Sequence, residues 1–170
     1  LIRHIGLTRQ YLHDVWGIPT DQVKVDFSPD TFGHSRFVPE INTFGSVPYY
    51  YHCRGLQDDL TLYRYRAPSG SEVLVYKEPY WYNSGIIPAP GIGLPKVASL
   101  SGGLRTGMAV YGVGDHGGGP TRRDLNQAIK MQSWPVFPTL KFGTLHEYFA
   151  AAEAVRNSVP VIDHELNNIF

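Results

Sequence analysis

Asp30 stands in the run SPDTFGHS, residues 28–35, with a glycine three positions and a histidine four positions after it. A carboxylate beside a glycine that lets a ligand approach the backbone could serve as a nucleophile, as a metal ligand or as both. An aspartate after proline is also a common turn residue, whose oxygens accept a backbone N–H and start the next helix. A second stretch with chemistry in it is GVGDHGGGPTRRDL, residues 112–125, where glycines flank Asp115 and His116. Backbone N–H groups near a helix start can cradle an anion, but the glycines match neither a phosphate loop nor a dinucleotide fingerprint, and no lysine is present. The loop reads instead as a tight turn that brings Asp115 and His116 close to a ligand. His52 and Cys53 do not make a metal pair, because neighbouring residues on a strand point to opposite faces. His4 and His13 lie nine residues apart without a partner at i+4 and receive no role.

The elements that must hold these residues follow from periodicity. Leu7, Tyr11 and Val15, with Leu12 and Trp16 beside them, form the stripe of an amphipathic helix over residues 1–18, ended by Gly17 and Pro19. Val23, Val25 and Phe27 alternate with polar residues as a strand does, and Pro29 stops the pairing just before Asp30. Ser35 can cap a helix carrying Val38, Ile41 and Phe44, so Asp30 sits on a strand-to-helix loop. Pro48 opens the strand YYYHC, followed by Arg54 and Gly55. The runs 60–66 and 72–77 are joined by Ala-Pro-Ser-Gly-Ser and predict a β-hairpin. The stretch EPYWYNSGIIPAPGIGLP predicts a long loop, and Met108–Gly112 a short buried strand. Thr121 with Asp124 opens a helix with Leu125, Ala128 and Ile129, and Thr144 with Glu147 forms a capping box for another. PTLKF and the run 160–166 read as extended. This alternation predicts a parallel α/β architecture in one unit, without internal repeats.

The string DTFGHS, followed by VPEI and YYYHCRG, resembles the nucleophile segment of the α-mannosidases of glycoside hydrolase family 38, in particular the bacterial type. The resemblance continues in colinear order through EPYWYN, YGVGDHGGGPTRRDL, LKFGTLHEYF and PVIDHELN, and so covers nearly the whole chain. It implies a retaining α-mannosidase acting through a glycosyl-enzyme intermediate, with residues 1–170 a partial domain from the centre of a seven-stranded α/β barrel. The opening at Leu1 and the end at ELNNIF fit an internal fragment, which alone is expected to be inactive. Asp30 maps onto the residue that in the family is both nucleophile and zinc ligand. Retention needs a second carboxyl group roughly 5–5.5 Å from the first; Glu165 is the candidate acid, with Asp163 two residues away on the same face. Arg54 would orient Asp30 or meet sugar hydroxyls, and a surface arginine at a strand end is its plain alternative. Asp115 would hydrogen-bond hydroxyls, with His116 beside it. Trp81 offers a flat face for a pyranose, although a buried core tryptophan would look the same in sequence. The family's other zinc ligands, a His-x-Asp pair and a downstream histidine, have no counterpart in these residues.

Composition narrows the partners. With 15 basic and 15 acidic residues the formal charge is zero and no basic cluster exceeds Arg122-Arg123, which speaks against nucleic acid or an anionic membrane. A neutral mannose-containing oligosaccharide or glycan fits better, and self-association into a homo-oligomer stays compatible. Apolar residues make up 42% of the chain, enough for one core. Cys53 is the only cysteine, so no internal disulfide forms and a cytoplasmic location is the default expectation. No apolar run reaches the roughly 20 residues that span a bilayer. A non-catalytic carbohydrate-binding domain would also account for the aromatic residues and the glycine-rich loop.

Overall fold

The computed structural model describes residues 1–56, 59–79, 81–82, 97–114 and 118–167. These residues form a mixed α/β unit around a five-stranded sheet with the order β1-β2-β4-β3-β5. The strands are β1 (Val25–Ser28), β2 (Tyr49–His52), β3 (Leu62–Arg66), β4 (Glu72–Lys77) and β5 (Val161–Ile162). β1, β2 and β4 run parallel, and β3 returns antiparallel to β4 as the predicted hairpin. β5 joins the outer side of β3 in parallel.

Period-two alternation sorts the side chains of this sheet into two cores. Tyr51, Leu62, Leu74 and Tyr76 face one side, where Tyr148, Phe149 and Ala152 cover them. Tyr50, Tyr63, Tyr65, Val73 and Val75 face the other, with Ile162, Leu166 and Val38. Both faces of the central strands are thus buried, which explains why VLVY in β4 is a continuous apolar run rather than an alternating one.

The helices are α1 (Ile2–Trp16), α2 (Val38–Phe44), α3 (Arg122–Met131) and α4 (Leu145–Ala152), with 3-10 turns at Thr20–Gln22 and Glu153–Ser158. The capping chemistry read from the sequence is present. Thr121 accepts from the Asp124 N–H in α3, and Thr144 and Glu147 form a reciprocal box in α4. Gly17 ends α1 in the left-handed conformation. α2 starts slightly later than expected: Phe37 holds the cap position, and Ser35 Oγ accepts from the Phe37 N–H at 3.3 Å. No helix among the described residues is long and apolar enough to cross a membrane.

Three expectations are corrected. Met108–Gly112 is not a strand and has only an isolated bridge at Tyr111. Two of its backbone groups are bonded by side chains instead: Tyr76 donates to the Met108 carbonyl, and the Val110 N–H donates to Glu78 Oε2 at 3.2 Å. PTLKF has no ladder partner among the described residues, and the Gln132 amide donates to the Leu140 carbonyl. In the run 160–166 only Val161–Ile162 is strand; Leu166 then pairs antiparallel with His34. The stripe on α1 forms but stays in solvent, with Leu7, Tyr11, Val15 and Trp16 exposed by 50, 59, 59 and 69%.

Leu74 lies fully buried in β4, between β2 and β3. Leu74→Ala is expected to cost about 2–5 kcal/mol of stability through lost burial and a residual cavity. Urea denaturation of both forms measures it, and a loss below about 1 kcal/mol would contradict this account of the core.

Candidate active site

β1, β2 and β4 end level with one another, since Ser28 pairs with His52 and His52 with Lys77. The residues that follow these three strands are therefore brought to one rim: Asp30 after β1, Arg54 after β2 and Glu78 after β4. Backbone bonds carry the alignment past the strand ends, with the Cys53 N–H donating to the Pro29 carbonyl and the Glu78 N–H to the His52 carbonyl. In α/β folds the carboxyl ends of parallel strands are where ligands bind.

Arg54 Nε donates to Asp30 Oδ1 in a close ion pair. Its guanidinium carbon lies 4.5 Å from the centre of the Phe32 ring and 4.4 Å from that of Trp81. The cation is thus held by two aromatic faces and a carboxylate, an arrangement that suits a guanidinium better than an ammonium, because its plane can stack while its edge donates. The pair is accessible: the side chains of Arg54 and Asp30 are 25 and 43% exposed. Among the described residues no group bonds Asp30 Oδ2, so that oxygen is available to a reactant. Asp30 thus has a specific partner across the loop and is not simply the cap of α2.

Trp81 takes a positive φ of 80°, uncommon for a residue with a side chain. Besides meeting Arg54, Trp81 lines a cavity of about 620 Å³ together with Cys53, Lys77, Glu78 and Val97, and neither Asp30 nor Arg54 belongs to that lining. Burial pushes the Cys53 thiol up to about 11, so it stays protonated and does not compete as a nucleophile. Glu78 was not singled out by sequence reasoning. It is only 4% exposed, and its Oε2 accepts from the Tyr51 hydroxyl at 3.1 Å and from the Val110 N–H. The signal that could have found it is its place directly after a buried strand, where a carboxylate is costly unless hydrogen-bonded.

Glu165 is exposed and lies beside Leu166, whose N–H and carbonyl both bond to His34. The segment that carries Glu165 is thereby tied to the same loop as Asp30. Its charge acts on the Tyr65 phenol, whose hydroxyl donates to the His34 carbonyl. Asp163 is exposed as well. Asp115 and His116 lie outside the described residues. The segment leading to them, 108–110, is fastened to the rim by Tyr76 and Glu78. Among the described residues no three His, Cys, Asp or Glu side chains gather to hold a metal ion.

Two buried histidines, His34 and His52, lie behind the pair. Burial lowers both imidazoles, and with the nearby His34 ring it takes His52 down to about 3. Each is therefore neutral in the folded protein at pH 7, whereas an unfolded histidine takes up a proton near pH 6.5. Below that pH the unfolded state binds more protons, so their contribution is complete above pH 6.5 and falls as pH drops below it, for His52 until about pH 3. For His52 the loss between pH 6.5 and 4.5 is about 2 kcal/mol at roughly 1.4 kcal/mol per pH unit. Urea denaturation at several pH values should show a shallower acid dependence in His52→Asn than in the wild type; parallel curves would contradict the neutral assignment.

No protein-family profile matches this sequence, and no curated protein matches it. A solved structure does match in three dimensions: an alpha-mannosidase from Enterococcus faecalis V583, with a TM-score of 0.74 and 17% sequence identity. The match covers 97% of this chain and 20% of that one, so the chain spans a fifth of the length of the enzyme it matches. At this identity the likeness is one of fold: the sheet, its helices and the rim described above belong to an architecture that an alpha-mannosidase also uses.

Proposed function

We propose that the protein hydrolyses terminal α-mannosides with retention, as glycoside hydrolases of family 38 do, with residues 1–170 the central part of its catalytic domain. On this reading the five-stranded sheet is part of a seven-stranded α/β barrel, and the substrate is a mannose-containing oligosaccharide or glycan. The observation that carries the proposal is the Asp30 carboxylate at the rim of three parallel strands, with one oxygen held by Arg54 and the other open. The fold likeness to an alpha-mannosidase and the colinear motifs support the same reading.

The chemistry would run as follows. Asp30 Oδ2 attacks the anomeric carbon while the bond from that carbon to the leaving oxygen breaks, and a second carboxyl group gives the leaving oxygen its proton. Oδ1 becomes the carbonyl oxygen of the glycosyl ester and keeps the Arg54 N–H, so the arginine serves both states without moving. Water then attacks the same carbon, returns a proton to the second carboxylate and frees Asp30. Glu165 is the proposed acid, with Asp163 the neighbouring alternative. Trp81 would stack on the sugar, and Arg54, Asp115 and His116 would meet its hydroxyls. Arg54 binds Oδ1 before any substrate arrives, which leaves Oδ2 as the oxygen that reacts.

Zinc is the ion the resemblance implies, with Asp30 as its ligand here. Zinc sites generally take about four donors, three of them from protein in catalytic centres. The described residues bring two carboxylates to the rim, Asp30 and the Glu78 that already accepts from Tyr51 and the Val110 N–H, and no three-residue donor group. They do not by themselves form a zinc site, and any further ligands would have to come from elsewhere.

The test is hydrolysis of an aryl α-mannoside by the full-length protein, as wild type and as Asp30→Asn. Loss of a nucleophile should lower kcat by several orders of magnitude while the fold is kept. Retained hydrolysis in the variant would overturn the role of Asp30. Unchanged sugar binding without hydrolysis in either form would favour a carbohydrate-binding domain.

A further inference from the structure

The backbone carbonyl of Arg54 is met by two buried imidazoles, His52 Nδ1 at 2.6 Å and His34 Nε2 at 3.0 Å. A carbonyl oxygen can only accept, so both of these ring nitrogens carry hydrogen. The remaining ring nitrogens face phenols: His52 Nε2 lies 2.6 Å from the Tyr63 hydroxyl, and His34 Nδ1 lies 2.5 Å from that of Tyr50. In a neutral imidazole with one N–H already placed, the other nitrogen accepts, so both phenols donate. The two rings are therefore opposite tautomers, Nδ1–H in His52 and Nε2–H in His34. Two chains of donation converge on one oxygen: Tyr63 to His52 to Arg54, and Tyr50 to His34 to Arg54.

The convergence falls where the chain most needs to be fixed. Ladder pairing of β2 stops at His52, and Gly55 then turns the chain away at φ 97°. A Cβ on Gly55 would come within 2.8 Å of the Leu166 carbonyl oxygen, so the turn is packed as well as left-handed. Between these two points lies Arg54, whose long side chain must reach Asp30 through the slot between Phe32 and Trp81. A shift of the Arg54 backbone by about 1 Å would take the guanidinium out of that slot, and a carbonyl held from two sides opposes such a shift. Neither histidine makes a hydrogen bond to Asp30, so an influence on the carboxylate would pass through Arg54.

We propose that His34 and His52 are positioning residues for the Asp30–Arg54 pair, a clamp of two imidazoles on the Arg54 carbonyl that aims its side chain at the carboxylate. The proposal rests on the reading of Asp30 as the nucleophile. It distinguishes the two histidines from ordinary core residues by the nitrogen each one uses. Asn places its amide nitrogen where His52 has Nδ1, and Gln places its amide nitrogen where His34 has Nε2, so these substitutions keep the donor, whereas Phe keeps only the ring.

The experiment is a double-mutant cycle in the full-length protein, read on an aryl α-mannoside. His52→Phe is expected to lower kcat by about ten- to a hundredfold with little change in KM, the scale of a slightly misplaced catalytic group. His52→Asn should recover most of that loss, and His34→Gln should retain more activity than His34→Phe. In an Arg54→Ala background His52→Phe should have no further effect, because the group through which it acts is gone. Equal losses in both backgrounds, with Asn no better than Phe, would overturn the clamp. If His52→Phe does not fold, Tyr63→Phe serves: it frees the His52 tautomer while keeping the ring, and unchanged kcat there would count against the proposal.

A second readout is independent of turnover. The Arg54 Nε–H, held against Asp30, should give a slowly exchanging proton signal in nitrogen-15 NMR of the wild type. Its exchange should quicken in His52→Phe and stay slow in His52→Asn. An unaltered signal in His52→Phe overturns the clamp whatever the activity, whereas a wild type that shows the clamp but no hydrolysis overturns only the mannosidase reading.

Discussion

Three parallel strands that end level with one another are the constraint on which the site depends. Because Ser28, His52 and Lys77 share one register, the residues that leave β1, β2 and β4 emerge side by side. A slip of one residue in β2 would turn its whole side-chain pattern over, taking Tyr51 from one core to the other. The register is therefore held by both cores at once, and the rim inherits the rigidity of the buried sheet. Asp30, Arg54 and Glu78 each stand within two residues of a strand end, so the sheet itself holds their backbone.

On that rim the electrostatics are arranged around Arg54. Its guanidinium is partly shielded by Phe32 and Trp81, a setting in which attraction to an aromatic face contributes about 0.5–2 kcal/mol. The Asp30 carboxylate keeps water on one side, which limits the cost of holding a charge there. The rear of the site is different in kind. His34, His52, Tyr50 and Tyr63 are buried and neutral, and they are satisfied by one another and by one carbonyl. Such a network is costly if any member is unpaired, which makes it a stiff support for a front that must remain open.

Much of this was legible in the sequence, in particular where the signal is local. The strand before Asp30, the hairpin of β3 and β4, the caps of α3 and α4 and the Gly17 stop of α1 follow from neighbouring residues, and each is present. What the sequence did not reveal depends on partners distant along the chain. Met108–Gly112 looks like a strand by composition, yet its carbonyl and N–H groups find Tyr76 and Glu78 first. The apolar stripe of α1 has helical spacing, but spacing does not say whether a neighbour covers it. In the sequence His52 offers only half of a metal pair with Cys53, which the opposite faces of a strand rule out; its actual partners lie on β3 and beyond β2. Glu78 is legible locally only as a carboxylate that follows a buried strand; the parallel register is what brings it to the rim that carries Asp30 and Arg54.

The claim that most of this account supports is that Asp30 forms a covalent bond to the sugar. It is tested most directly by trapping that bond with a 2-deoxy-2-fluoro or 5-fluoro mannosyl fluoride, which slows release of the intermediate. Proteolysis and mass spectrometry of the trapped protein then locate the label. The account predicts one added fluorosugar, on the peptide that contains SPDTFGHS and on Asp30 within it. A label on Glu78, Glu165 or any other carboxylate, in a protein that turns over α-mannosides, would contradict it.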